Sequence, residues 1–490
     1  MKETISRLEE RFEQVRRRSG LVIAPLVFLA VWYAPLPDLS EPAHALAALA
    51  SLVVVLWLTE ALPLYITGLL VPVMLVVLGV AGPAKAFAPF ADPIMFLFIG
   101  AFVLARSIQI HGLDRRFAYA VLTHRLVGGN PSRIMFAYGA VCLVVSMWIS
   151  NTATTAMMFP IGLAIISMLY SREGDRSRER YATGIMLICA FGASIGGLAT
   201  PVGTPTNLIG IGFIERQTGY HMPFFTWMSL ALPIVIAMFL FLFFYLNATC
   251  GLRSENVAGL EAMLRREKER LGPLSAGERN TLLAFGITVV LWVLPGVFAL
   301  TLGDDHPVTA GYNKRLPESV AALIGAVLLF FLPTDRVKGE YTMSLRRAVE
   351  IDWGVLALYG GGITLGQMVF ETRLAETLGM RLSGVIPSDG VGLTAAASVI
   401  AVVTSELTSN VSSANMIVPL VIVLAKHAGV QAAIAATMAS SLGFMLPIST
   451  PTNAIVYSSG YVPLTRMMRH GIVLDIAGFL IIVIGLSLML

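Results

Sequence analysis

The chain has 490 residues, 56% of them hydrophobic and only 13% charged, with a mean hydropathy of +0.77 and a formal net charge of +4. Soluble domains carry about 25% charged residues, so this composition excludes a soluble enzyme or binding module. The basic residues are dispersed among short polar stretches instead of forming a stripe, which excludes a nucleic-acid surface and points to membrane topology.

A polar segment ending in Arg16, Arg17 and Arg18 precedes a first apolar window at 20–38, with no small-residue cleavage pattern after it, so this span is expected to stay as an anchor. Further windows follow at 44–62, 64–82, 93–110, 134–171, 183–214, 224–247, 280–302, 317–333, 353–370, 390–425, 430–460 and 470–490. A helix of about 20 residues crosses a bilayer core of about 30 Å. Windows 134–171 and 390–425 are too long for one crossing and break centrally at polar residues, so they predict helical hairpins; eleven single spans remain. The expected fold is an all-α polytopic membrane protein. Its expected organisation is an N-terminal amphipathic segment and first span (1–42), a first repeat (43–250), a cytoplasmic linker (251–279) and a second repeat (280–490). Within the linker, Glu255 to Gly272 has the apolar spacing of an interfacial helix.

With the amino terminus placed in the cytoplasm, 26 of the 34 Lys and Arg fall on the inner side, 7 on the outer, and Arg106 within a span. The bias predicts the amino terminus inside and the carboxyl terminus outside. Cys142, Cys189 and Cys250 have no paired or metal-ligand spacing, so neither a disulfide framework nor a zinc site is expected.

The first hairpin has a twin. Setting Asn151 on Asn410 aligns SMWISNTATTAMMFPI (Ser146 to Ile161) with SELTSNVSSANMIVPL (Ser405 to Leu420), matching Ser146 with Ser405, Ser150 with Ser409 and Pro160 with Pro419. Upstream, Asp92 and Gly100 correspond to Asp352 and Gly360; downstream, GTPTNLI from Gly203 answers STPTNAI from Ser449. The chain is an internal duplication. Five single spans separate the repeat starts, and an odd number inverts the second copy. Inverted repeats with broken helices are the architecture of secondary transporters, which bind substrate and coupling ions near the bilayer midplane.

Irregular backbone survives in hydrocarbon only where protein or a water-filled cavity satisfies it. Ser150, Asn151 and Thr152 therefore predict a half-helix whose N–H groups and positive dipole end face a site for an anion. TPTN at Thr204 and Thr450 predicts breaks in the broken helices of 183–214 and 430–460, whose freed carbonyls suit a hard cation. Ser and Asn are also ordinary helix caps, but their duplication in inverted copies favours a site. No Arg or Lys lies in these four motifs, so bound cations and helix dipoles must balance an anionic ligand. An intramembrane enzyme would need a nucleophile, metal motif or paired acids, and HExxH does not occur; a channel would need filter-like repeats. Glu406 is expected to tune an ion site or bridge helices, Glu60 to cap a helix, and Arg106 to snorkel or pair with a carboxylate.

These motifs resemble those of the divalent anion:sodium symporter family, the INDY-type carboxylate transporters, over nearly the whole chain after residue 20. The resemblance implies an eleven-span homodimer in the inner (plasma) membrane, with a scaffold, a moving transport part, two re-entrant hairpins and elevator-type alternating access. It implies one sodium site at Ser146, Ser150, Asn151 and the Gly203 backbone, and a second at Ser405, Asn410 and the backbones of Thr408 and Ser449. It places substrate carboxylates against Ser150, Asn151, Thr152, Thr204 and Pro205 on one side, and against Ser409, Asn410, Thr450 and Pro451 on the other. The second triplet ends in Val411, lacking the third hydroxyl, a variant the resemblance associates with carriers that also take citrate. The implied activity is symport of succinate, malate or fumarate with Na+ as co-transported ion and no organic cofactor. Citrate or sulfate transport, or exchange, stands as the alternative, although the family's exchangers carry basic residues at the ion sites and none occurs here.

Overall fold

A computed structural model describes residues 2–169, 176–252, 259–303, 306–382, 390–425 and 429–490. Residues 170 and 171 of the expected first hairpin, and 253–258 of the expected linker, lie outside them. Apart from one two-stranded ribbon, Pro333–Asp335 with Glu340–Tyr341, the regular structure of the described residues is helical. Eight of these helices are long and apolar enough to cross a membrane.

The amino-terminal segment and most of the first apolar window form one helix, Lys2–Tyr33, which is not among those eight. The composition changes near residue 20, but Glu, Arg and Leu on one side of that point and Leu, Val and Ala on the other all accommodate a helix. Glu60 takes a left-handed conformation (φ 48) at the end of the next helix, Glu41–Thr59, and its carboxylate pairs with Arg16 at 2.9 Å. In the linker the described helix is Leu260–Arg270, whose Leu260 and Leu264 are buried while its charged face is exposed.

Two long helices carry the twin Asp/Gly motifs and flank the centre: Pro93–His111, capped by Asp92, and Trp353–Glu371, capped by Asp352. Each lies against a shorter helix through a glycine where no Cβ fits. Gly100 abuts Ala322 in Glu318–Phe331, and Gly361 abuts Gly68 in Leu64–Val77. Close backbone approach through small residues is the packing mode of helices in lipid.

The centre holds both hairpins and both broken helices. The first hairpin comprises Pro131–Ser146 and Asn151–Leu169; the second, Gly390–Leu407 and Asn410–Leu424. The first broken helix runs through Arg176–Gly197, an irregular segment and Pro205–Thr218; the second through Gly429–Ala439, a longer irregular segment and Pro451–Ser458. Every residue from Tyr181 to Thr200 is buried, as expected of a helix that is apolar all round. The prolines of the two TPTN motifs occupy the first helical position after each break, where the missing N–H costs no hydrogen bond.

Candidate functional site

Both tip asparagines are fixed by the serine one turn before them. Ser146 Oγ donates to Asn151 Oδ1 at 2.7 Å, and Ser405 Oγ donates to Asn410 Oδ1 at 2.8 Å. Each following half-helix starts with a serine cap: Ser150 Oγ accepts from Ala153 N–H at 3.3 Å and Ser409 Oγ from Ser412 N–H at 3.2 Å. The caps hold the tips turned, leaving the first N–H groups of two helices free to face a ligand.

The breaks are held by a device that the sequence reading did not assign. Asn207 Nδ2 donates to the carbonyls of Gly197 at 2.9 Å and Thr200 at 2.8 Å. Asn453 Nδ2 donates to those of Gly443 and Leu446, both at 2.9 Å. The partners lie ten and seven residues upstream in both copies, so the last letter of TPTN is a clasp across each break. The breaks are also joined to one another. Thr206 of the first motif shares a hydrogen bond with Ser441 beside the second break (2.6 Å), and Thr452 of the second motif with Ser194 beside the first (3.3 Å).

These contacts enclose a cavity of about 810 Å³. Ser150, Asn151 and Thr152 line it from one tip, and Ser409, Asn410 and Val411 from the other. Gly203, Thr204 and Pro205 line it from the first break, and Ser449, Thr450 and Pro451 from the second. Ser146, Ser405 and Thr408 sit behind the tips and are fully or almost fully buried. The fifteen residues singled out in the sequence therefore form one constellation, twelve on the cavity wall and three supporting it.

Four helix N-termini end at this cavity, with Ser150, Thr204, Ser409 and Thr450 at or next to the capping position. Each presents partial positive charge and unpaired N–H groups, the arrangement that binds carboxylates and phosphates. Among the described residues Arg106 is the only basic one on the wall, and it is ion-paired to Glu350. Behind the tips the polar atoms are mainly oxygens. Ser405 Oγ also lies 2.7 Å from Ser440 O, a second acceptor within reach of its one proton, and Thr200 Oγ1 donates to Met147 O at 2.5 Å. Oxygen-rich pockets of this kind suit hard cations. Among the described residues no donor reaches the side-chain carbonyl oxygens of Asn207 and Asn453, which are buried.

The family model for the sodium:sulfate symporter transmembrane region matches residues 16–489. The chain belongs to this divalent anion:sodium symporter family. Among characterised relatives, the sodium-dependent dicarboxylate transporter SdcS of Staphylococcus saprophyticus is 28% identical over 97% of this chain and 92% of its own length. SdcS of Staphylococcus aureus strain USA300 is 28% identical over 95% and 89%. Among solved structures, the Alcanivorax borkumensis YdaH transporter superposes with a TM-score of 0.52 at 13% identity, over 92% of this chain and 97% of that one. Neisseria gonorrhoeae MtrF, described with a class of antimetabolite efflux pumps, gives 0.53 at 12% identity, over 82% and 81%. At such identities the two structures support the helical membrane fold alone. Membership of the symporter family makes the protein an integral membrane transporter.

Proposed function

We infer that this family member is a sodium-coupled symporter of small dicarboxylates of the succinate, malate and fumarate class. The observation that carries this reading is the convergence of four helix N-termini on a cavity whose only basic side chain, among the described residues, is already ion-paired. A dianion placed there would meet the unpaired N–H groups of four helix starts and several hydroxyls, but, among the described residues, no cationic side chain that is not already ion-paired. Sodium ions behind the tips supply the missing charge, one at Ser146, Ser150, Asn151 and the Gly203 backbone, the other at Ser405, Asn410 and the backbones of Thr408 and Ser449. Ion and substrate then require one another, which is the physical basis of symport. The sodium-dependent dicarboxylate transporters among its relatives support the same substrate class.

In this reading the two hairpins are re-entrant, the repeats are inverted, and eleven spans place the amino terminus in the cytoplasm and the carboxyl terminus outside. The hairpins and broken helices move as one body along a scaffold that forms a homodimer in the plasma membrane. The reciprocal bonds of Thr206 with Ser441 and Thr452 with Ser194 support this, because they tie the two breaks into a single unit.

Uptake of labelled succinate into proteoliposomes tests the reading. Replacing external sodium with choline abolishes concentrative uptake if it holds. Unchanged accumulation in choline, or strict dependence on an internal counter-substrate, would sink it. Competition by citrate and sulfate in the same assay decides whether Val411, which puts methyls where Thr152 has a hydroxyl, widens the anion range.

A further inference from the structure

Between the short helix Leu113–Leu122 and the first arm of the first hairpin, Pro131–Ser146, runs a groove of about 720 Å³. The short helix is already fixed on other sides. Ala118 and Leu122 are buried, and Arg116 pairs with Glu278 at 2.5 Å while donating to the carbonyls of Leu271 and Gly272. Phe117, Ala120 and Val121 occupy a different face and line the groove. Phe136, Ala137 and Ala140 line it from the hairpin, and Phe243 of Phe224–Cys250 lies edge-on to Phe136 with ring centres 5.0 Å apart. Phe117 and Phe136 are each 40% exposed, so the apolar walls are open to what lies outside the protein.

The groove is polar at one end. Phe117, Ala120, Val121 and His124 recur at the spacing of a single helix face, and so do Arg133, Phe136, Ala137 and Ala140. A short turn joins the two helices, so the His124 end of one stripe meets the Arg133 end of the other. Ser132 lines the groove beside Arg133, and Arg125 follows His124 in the turn. Arg133 Nη1 donates to the Leu126 carbonyl at 3.3 Å, which keeps the guanidinium at the turn with further N–H groups to offer. Lys268 reaches the same turn, donating to Thr123 Oγ1 at 3.2 Å. Arg125 and Arg133 are exposed, and among the described residues neither is ion-paired. Glu267, next to Lys268, is taken by Arg270 at 2.6 Å.

We propose that this groove binds one anionic phospholipid, with its phosphate against Arg125 and Arg133 and an acyl chain between Phe117 and Phe136. The charge and the apolar walls each exclude another occupant. A neutral lipid would fill the walls and leave two guanidinium groups without a counter-charge, while a free phosphate would pair with those groups and leave the walls open to water. An amphiphile with an anionic head satisfies both. The Lys and Arg bias puts this turn on the cytoplasmic side of the proposed topology, the side of the leaflet whose negative surface potential attracts such clusters. The site does not depend on which substrate the protein carries. Its place in the fold gives it a consequence, because the short helix, entered through the left-handed Gly112 (φ 73), is the link between Pro93–His111 and the first hairpin. A lipid seated between helix and hairpin braces that joint.

Native mass spectrometry of the delipidated full-length protein, with phosphatidylglycerol and phosphatidylcholine added in equal amounts, reads the selectivity. Wild type is expected to retain phosphatidylglycerol at concentrations where phosphatidylcholine is lost. A basic residue beside an anionic headgroup contributes roughly fivefold in affinity, so Arg125→Gln combined with Arg133→Gln should weaken that retention by roughly thirtyfold. Ala120→Trp keeps both arginines but fills the groove, and should abolish retention. Glycerol phosphate, a headgroup without a chain, should not compete. Thermal melts read the same binding and check folding, since phosphatidylglycerol should raise the wild-type midpoint and leave both variants unmoved. Equal retention of the two lipids by wild type overturns the site. Unchanged phosphatidylglycerol retention in either variant does so too, as does full competition by glycerol phosphate, which would mark a simple anion site. Should a variant fail to fold, the wild-type selectivity and the glycerol phosphate competition decide.

Discussion

At the first tip, the carbonyl of Met147 is bonded by Thr200, three residues before Gly203; at the second, the corresponding carbonyl of Glu406 is bonded by Ser449, which stands where Gly203 does. Leu446, the counterpart of Thr200, has no hydroxyl to offer. The same tie between hairpin and break is thus made from opposite sides of a proline, while the Ser–Asn bond and the TPTN clasp are kept atom for atom. The difference separates two kinds of constraint. Features repeated in both copies hold a turned hairpin against a broken helix. Features present once, such as the carboxylate of Glu406 or the hydroxyl of Thr152, are the places where the two halves differ in charge and hydrogen bonding.

The largest effect is expected where the copies agree. Asn151→Asp and Asn410→Asp each remove an amide donor and put a carboxylate beside the substrate's own. Burial of an unpaired charge is worth about 3–5 kcal/mol, so each single variant should fold and lose sodium-driven succinate uptake by roughly a hundredfold or more. Normal affinity for both substrate and sodium in either variant would show that its tip is only a helix cap, and would end the equivalence of the two.

A smaller effect separates two glycines. A Cβ on Gly197 would lie far inside contact distance of Asn151 Oδ1, whereas one on Gly443 would stand 3.2 Å from Asn410 Oδ1 and 3.4 Å from Ser405 Oγ. Overpacking a tight site costs about 1–3 kcal/mol. Gly197→Ala is therefore expected to displace Asn151 and cut uptake at least tenfold, while Gly443→Ala falls only a few-fold and keeps its sodium dependence. Thermal melts of the two purified variants, read beside uptake, check that both fold. Equal losses would mean that the tips are packed alike and that the asymmetry in the copies has no functional weight.

How far the sequence carried these conclusions depends on the range of the interaction. The tip serines and asparagines lie within one turn of each other, so their pattern was readable and all of them reach the cavity or support it. The clasps were half legible: TPTN marked the breaks, but nothing in the motif says that Asn207 and Asn453 bond carbonyls ten residues upstream. Hydropathy blurred Leu64–Val77 and Glu318–Phe331, whose helices stop short of a full span-length window. The former ends just before a turn at Gly79 (φ 70) that the apolar run conceals. Arg106 was expected to pair with some carboxylate and does, but Glu350 is 244 residues away. Asp475, buried in the last helix, Leu464–Met489, drew no notice because a lone acid in an apolar helix reveals its neighbours only when the helices are packed.

The smallest effect lies where one copy has a hydroxyl and the other two methyls. Thr152 and Val411 both line the cavity, and both follow the tip asparagine by one position. A neutral hydrogen bond contributes about 0.5–1.5 kcal/mol net, so Thr152→Val should weaken succinate binding by a few-fold to roughly tenfold, by the conversion of about 1.4 kcal/mol per decade. Val411→Thr is nearly isosteric and restores the twin motif. It adds a donor on the opposite wall, which favours an anion able to use both, so the preference between succinate and citrate or sulfate should move by a comparable factor. Sodium affinity should stay within about twofold in both variants, because neither side chain belongs to the Ser–Asn pairs behind the tips and a shift under 0.5 kcal/mol is typical of substitutions away from such features. Competition assays with the three anions decide the point. Identical selectivity in wild type and Val411→Thr would remove position 411 from the substrate wall and leave the first tip as the only selective one.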